Sequence, residues 1–186
     1  MDREFSTAIF IIKTTRRYIM QNNISTNRLL LNLLKKEDHE FVLQLLNSKG
    51  WLQFIGDRNV HSKEEAFVYI DKILASKNLF YWVVRTQEEN IPVGIISFIK
   101  RPYLDHFDIG FAFLPEYNGC GYAYEAAQEI LSIMGGKLNY HPILATTLAE
   151  NTKSITLLNK LGLHFEKELK MENHINQIYS NAESIN

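Results

Sequence analysis

The sequence predicts one α/β (α+β) domain, a mixed sheet of six to seven strands flanked by about four helices, over residues 25–186 behind an extension at 1–24. Three observations carry this. The apolar residues switch repeatedly between a two-residue and a 3.6-residue period. Residues 107–134 join a strand, a glycine loop and a helix without a break. The order of segments is strand, two helices, three strands, helix, strand, helix, strand, which is met by helices packed on a single mixed sheet.

Taken in order, the extension holds Ala8-Ile-Phe-Ile-Ile12, too short to cross a membrane, and Asp2 and Glu4 stand where an export signal would be basic. A helix over 5–20, docked on the domain or on a partner chain, is expected; Met20 is an alternative start. Residues 28–34 form a leucine-rich strand. Asp38 is read as the N-cap of a helix whose Phe41, Val42, Leu45 and Leu46 share a face, with Gly50 just beyond its end. Residues 51–61 read as a loop dense in large and polar side chains, of the kind that carries specificity. Ser62-Lys-Glu-Glu65 is a capping box, opening a helix with Ala66, Phe67, Ile70, Ile73 and Leu74 inward. Runs at 80–85 and 92–100 pair as a hairpin across the polar turn 86–90, and the strand at 107–114 extends them to a four-stranded meander. The helix over 122–134 is stopped by Gly135-Gly136. A buried strand at 142–148 follows, then a helix with Ile155, Leu157, Leu158 and Leu161 inside and Gly162 at its end. Phe165, Lys167, Leu169 and Met171 alternate as another strand, and 175–179 adds the seventh.

Composition narrows the function. At 186 residues the chain suits one core and is short for two. A hydrophobic fraction of 46%, a charged fraction of 22% and a net charge of −1 set up no field toward nucleic acid, and no membrane partner is expected. Cys120 is the sole cysteine, so no internal disulfide forms and a reducing, cytoplasmic compartment is expected. Cys120 lacks an evident histidine partner and reads as inert. The histidines at 39, 61, 106, 141, 164 and 174 show no metal-ligand spacing, so no metal is expected.

The chemistry concentrates at 108–127. Ile109, Phe111 and Phe113 alternate with smaller residues, Pro115 ends the strand, and Gly119 and Gly121 let the backbone turn into a helix start. Unpaired N–H groups there, with the positive end of the helix dipole, suit a phosphate or pyrophosphate. Asn-Gly-Cys-Gly-Tyr-Ala at 118–123 is similar to the Arg/Gln-x-x-Gly-x-Gly/Ala loop with which GCN5-related N-acetyltransferases (GNAT) hold the pyrophosphate of acetyl-CoA. Its surroundings resemble the RimJ/RimL-like branch, which acetylates ribosomal-protein N-termini and diverse small amines. Asn118 departs from the family's Arg or Gln, which implies a grip mainly through main-chain N–H groups. Ala149-Glu-Asn151-x-x-Ser154-Ile, running on to Leu161-Gly162-Leu163, is similar to a second family motif, and the resemblance covers about 26–171.

The resemblance implies the GNAT acyl-CoA N-acyltransferase fold, acetyl-CoA as co-substrate, and direct acetyl transfer to an amine, either a small molecule or a peptide N-terminus. It implies that the strands at 107–114 and 142–148 splay apart, leaving backbone groups near Phe113 and Leu114 free for the pantetheine arm. The cofactor-binding candidates are therefore Phe113, Leu114, Asn118, Gly119, Cys120, Gly121, Tyr122, Ala123 and Asn151. An amine near its free pKa is about 10³-fold more protonated than neutral at pH 7, so attack needs a base. Asp108 is the first candidate, with Glu150 and His106 behind it; a carboxylate merely satisfied by turn N–H groups is the alternative. Many relatives protonate the leaving thiolate with a tyrosine at the position that is Leu158 here. Ser154 is the substitute, unless its hydroxyl only caps the helix. The acceptor pocket is expected from 51–61, the hairpin around Tyr81, and 103–107, in a monomer or a homodimer. Three rivals remain. One is a non-catalytic acyl-CoA-binding module, suggested by Asn118 and Leu158. The second is a partner-binding subunit that uses the extension. The third is a dinucleotide-binding protein, for which Gly119-x-Gly121 is half a fingerprint with Tyr124 at the third glycine.

Overall fold

A computed structural model describes residues 14, 19, 24–172 and 174–182. Of the extension, Thr14 and Ile19 are helical and Ile19 is buried, whereas the rest of the helix expected over 5–20 lies outside the described residues. The strands are β1 (Ile24–Ser25), β2 (Leu29–Leu33), β3 (Leu79–Thr86), β4 (Pro92–Ile99), β5 (Asp108–Phe113), β6 (Leu144–Leu148), β7 (His164–Lys170) and β8 (Ile175–Ser180). They form one mixed sheet in the order β1-β2-β3-β4-β5-β6-β8-β7. The helices are α1 (His39–Leu46), α2 (Lys49–Phe54), α3 (Lys63–Ala75), α4 (Tyr122–Leu131) and α5 (Thr152–Lys160). The strand and helix beyond the expected number are β1, of two residues, and α2, of six, both too short for periodicity to register.

The sheet divides two cores. Val83, Ile95 and Leu114 pack with α1, Trp51 and the inner face of α3. Trp82, Ile96, Phe98 and Ile109 pack with Ala126, Ala127 and Ile130 of α4 and Leu158 of α5. The Ser62 capping box forms as expected: its hydroxyl accepts the Glu65 N–H at 3.2 Å and the Glu65 carboxylate accepts the Ser62 N–H at 3.0 Å.

Several expectations are corrected. Asp38 precedes α1 but makes no side-chain cap; its carboxylate accepts the Lys35 N–H at 2.8 Å and pairs with Arg85. Gly50 does not end a helix but lies inside α2, in a segment ordered by Trp51, which is buried and donates Nε1–H to the Gly56 carbonyl at 3.1 Å. Phe67 and Leu74 are each 38% exposed, because the narrow apolar stripe of α3 is already filled by Ala66, Ile70 and Ile73. Gly135-Gly136 does not stop α4: the chain continues as a π turn over Ser132–Lys137. Gly135 leaves room for a neighbour there, since a Cβ would lie a tight 3.2 Å from the His141 ring. In β7 the expected inward alternation is lost: it is one of the sheet's two edge strands, and only Leu169 is half-buried. Its charged side chains protect an open edge.

Candidate active site

The sheet opens where β5 and β6 meet. β5 pairs with β4 along its whole length but with β6 only at Asp108 opposite Leu144, in parallel. β6 pairs instead with β8. The two central strands therefore touch at one end and diverge, leaving a V-shaped notch, as the resemblance implied. The Leu114 N–H donates to the Val93 carbonyl at 3.0 Å, and the alternation of an antiparallel ladder then turns the main-chain groups of Ala112, Gly110 and Asp108 toward β4. Those of Phe113, Phe111 and Ile109 face the notch. At its closed end the Phe107 carbonyl, in the same phase, accepts the Leu144 N–H at 2.9 Å. Leu114 is a correction to the expectation of free backbone at 113–114: its N–H is taken by Val93 and its carbonyl by the Tyr117 N–H at 3.0 Å.

At the open end of the notch the chain enters a short 3-10 turn, Pro115–Tyr117, and then the glycine loop. Gly119 has φ +82° and Gly121 φ +80°, values that side chains with a Cβ rarely adopt, so both glycines are required by the path. Gly121 is the N-cap of α4, its carbonyl accepting the Glu125 N–H at 3.1 Å. With no cap side chain, the N–H groups of Tyr122, Ala123 and Tyr124 lack intrahelical acceptors and point out of the helix end. Asn118 and Cys120 are exposed, and the Asn118 N–H donates to the Pro115 carbonyl at 3.2 Å. This arrangement fits a diphosphate: main-chain donors and a helix dipole, at the mouth of a notch lined by strand amides.

A charge cluster beside this loop went unnoticed in the sequence. Arg28 donates from Nε to Glu125 Oε2 at 2.7 Å, with Nη2 2.6 Å from the same oxygen, and from Nη1 to the Cys120 carbonyl at 3.1 Å. Its guanidinium lies 4.7 Å from the Tyr122 ring centroid. Glu125 Oε1 accepts the Thr26 hydroxyl at 2.5 Å and the Arg28 N–H at 2.9 Å. Burial works against ionisation of Glu125, but the Thr26 and Arg28 donors outweigh it and hold the carboxyl below its ordinary value. Nothing local signals the cluster, since its partners are 97 to 99 residues apart.

On the α1–α3 face, β3, β4 and β5 align Tyr81, Ser97 and Gly110 in one cross-strand row. Gly110 leaves the space the serine occupies, for a Cβ there would lie 2.7 Å from Ser97 Oγ. Tyr69 of α3 and Tyr81 pack on the same core, and burial raises both phenols, keeping them neutral. At the closed end of the notch Asp108 is 1% exposed, and Arg101 Nε donates to both of its oxygens, at 2.9 and 3.0 Å. Burial pushes the Asp108 carboxyl up, with Arg101 pulling against it. Of the expected pocket lining, Tyr81 lies on this face, whereas Trp51 is core and Phe107 turns to the opposite side, stacked on Phe98 at 4.8 Å. His106 and Glu150 are exposed.

Across the notch, Asn151 caps α5 by accepting the Ser154 N–H at 3.2 Å. The cap is therefore the asparagine's; among the described residues no hydrogen bond engages the half-buried Ser154 hydroxyl. Leu158 is buried at 1% exposure. No group of three or more His, Cys, Asp or Glu side chains suited to a metal occurs among the described residues, and no described helix is long and apolar enough to cross a membrane.

Residues 28–164 match the model of the acetyltransferase (GNAT) domain. The chain is 31% identical over 144 residues to the uncharacterized N-acetyltransferase YnaD of Bacillus subtilis, covering 77% of this chain and 84% of that protein. It is 28% identical over 160 residues to spermidine N(1)-acetyltransferase of Escherichia coli K12, covering 85% and 84%. A solved GNAT-family acetyltransferase from Bacillus anthracis superimposes with a TM-score of 0.72 at 28% identity, over 86% of this chain and 97% of that one.

Proposed function

Because this chain belongs to the GNAT acetyltransferase family and is an acetyl-CoA-dependent acetyltransferase, we propose that it acetylates a primary amine by direct attack within a ternary complex. The observation that carries the reading is the notch: β5 and β6 part immediately beyond Asp108, and a glycine loop with outward amides stands at the open end.

In this reading the amides of 119–123 hold the diphosphate, and Phe111 and Phe113 offer main-chain groups to the pantetheine arm. The thioester then lies within the notch, where backbone donors stabilise charge developing on its oxygen. The acceptor approaches from the face of Tyr69, Tyr81 and Ser97. Its neutral nitrogen forms a bond to the carbonyl carbon as the carbon–sulfur bond breaks, and no acyl-enzyme is formed. The amine proton passes through water to Asp108. Burial raises the basicity of that carboxylate against the pull of the Arg101 guanidinium, whose Nε orients both oxygens. The departing thiolate is a fair leaving group; the Ser154 hydroxyl donates a hydrogen bond to it, in place of the tyrosine absent at Leu158, and the thiolate takes its proton from solvent.

The acceptor is a small amine or a peptide N-terminus, and the likeness to a spermidine N(1)-acetyltransferase supports including a polyamine among the candidates. The test is CoA-thiol release over a panel of spermidine, amino sugars, amino acids and short peptides, with mass spectrometry of the products. One acetyl group on an amine per thiol released supports the proposal. Acetyl-CoA binding without turnover on any amine would favour a non-catalytic module and overturn it.

A further inference from the structure

The segment Asn118-Gly-Cys-Gly-Tyr-Ala123, read above as the diphosphate grip, contains no cation. Carboxylates stand two residues to either side of it, Glu116 and Glu125; Glu125 lies in the first turn of α4, where it suits the helix dipole but repels a doubly charged ligand. What offsets it comes from far away in the chain. Arg28, just before β2, meets Glu125 through Nε and Nη2 and reaches the loop itself through Nη1, on the Cys120 carbonyl. It is packed against the turn, since a Cβ on Gly121 would lie 3.4 Å from Nη2. The side chain is nevertheless 46% exposed, so its charge is presented outward.

Resting on the proposed function, we propose that Arg28 is the cation of the acetyl-CoA diphosphate site. Glu125, itself held by the Thr26 hydroxyl, keeps the arginine in place, and the arginine in turn cancels the carboxylate and fixes the loop carbonyl so that the neighbouring N–H groups face the ligand. Arginine suits this task because its planar fork serves the carboxylate and the carbonyl at once while its charge remains available to phosphate oxygens. A second cation flanks the same helix end: Lys160 Nζ lies 4.2 Å from the Tyr124 ring centroid. It serves as the comparison for a merely diffuse positive field.

The experiment measures binding and KM for two donors, acetyl-CoA and S-acetyl-pantetheine, which carries the same thioester without the diphosphate. R28A is expected to weaken acetyl-CoA about ten- to a hundredfold, the scale of a lost charge-assisted contact, and to leave S-acetyl-pantetheine unchanged. It should also make acetyl-CoA affinity less sensitive to salt. R28K retains the charge and recovers part of the loss. R28A/E125A, which removes both charges, recovers part of it too. K160A has a smaller effect than R28A. Equal losses for the two donors in R28A, an unchanged salt dependence, or a K160A loss equal to that of R28A would overturn the proposal and leave Arg28 as a structural tie or one charge among many. If the wild-type protein bound no acetyl-CoA, the functional reading itself would fail, which is a different result from a silent R28A.

Discussion

Replacing Asp108 with Asn separates the two roles its position permits. The carboxylate is 1% exposed and its principal partner is Arg101, which meets both oxygens from a single Nε. Breaking a fully buried ion pair by removing one partner costs about 3–5 kcal/mol. Here the Arg101 side chain keeps 30% exposure, and an amide oxygen still accepts one hydrogen bond, so the expected loss is smaller, about 1–3 kcal/mol. In a chain of this size each kcal/mol shifts Tm by about 2–4 °C. The pH dependence has a defined sign. Burial holds the carboxyl above its ordinary 3.8, so the native state keeps a proton where the unfolded chain has lost it. That group's contribution to stability is full below the unfolded value and is lost as pH rises through the folded one. D108N therefore flattens stability against pH in the window that begins near 3.8. If Asp108 also receives the amine proton, kcat falls by about 10²-fold or more and the acid limb of the rate profile disappears. Thermal melts across pH, with kcat measured well below Tm, test both parts. An unchanged Tm together with an unchanged pH–rate profile would refute the reasoning.

Three other perturbations have defined outcomes. Gly94→Ala places a Cβ 2.3 Å from the Phe113 ring, which must move. Overpacking of about 1–3 kcal/mol should appear in denaturant melts, with a raised KM for acetyl-CoA because Phe113 borders the notch. Glu125 is held below its ordinary 4.5, so its clasp with Arg28 contributes stability above that value and loses it as pH falls through the folded one. Acid titration of R28A should show a shallower loss than wild type. Ser154→Ala should lower kcat with little change in Tm, whereas Asn151→Ala should cost about 1 kcal/mol of stability, because the asparagine makes the cap. The reverse pattern in calorimetry would reassign the two residues.

What the sequence made legible was local and steric. The Ser62 box, the left-handed glycines at 119 and 121 and the hairpin each depend on residues within a few positions of one another. Glycine proved ambiguous where its use was not turning: Gly50 sits in a helix with open space around it, and Gly135 makes room for His141. Phe67 and Phe107 are equally apolar on paper, but only the tertiary packing sends one to the surface and the other to the core opposite the expected pocket. The notch was expected through resemblance and not from residue pattern, since strand divergence leaves no trace in periodicity. Arg101 and Asp108, seven apart across a turn, were within reach of a charge-pair reading. Arg28 with Glu125 was not, because the fold alone brings them together.

The central claim is that main-chain amides of the glycine loop grip the donor. Backbone amide NMR of the full chain during titration with CoA tests it most directly. The account predicts that the N–H resonances of Gly119 through Ala123 shift together and saturably, accompanied by those of Phe111 and Phe113 along the notch. A titration that moved other amides while leaving these still would contradict it.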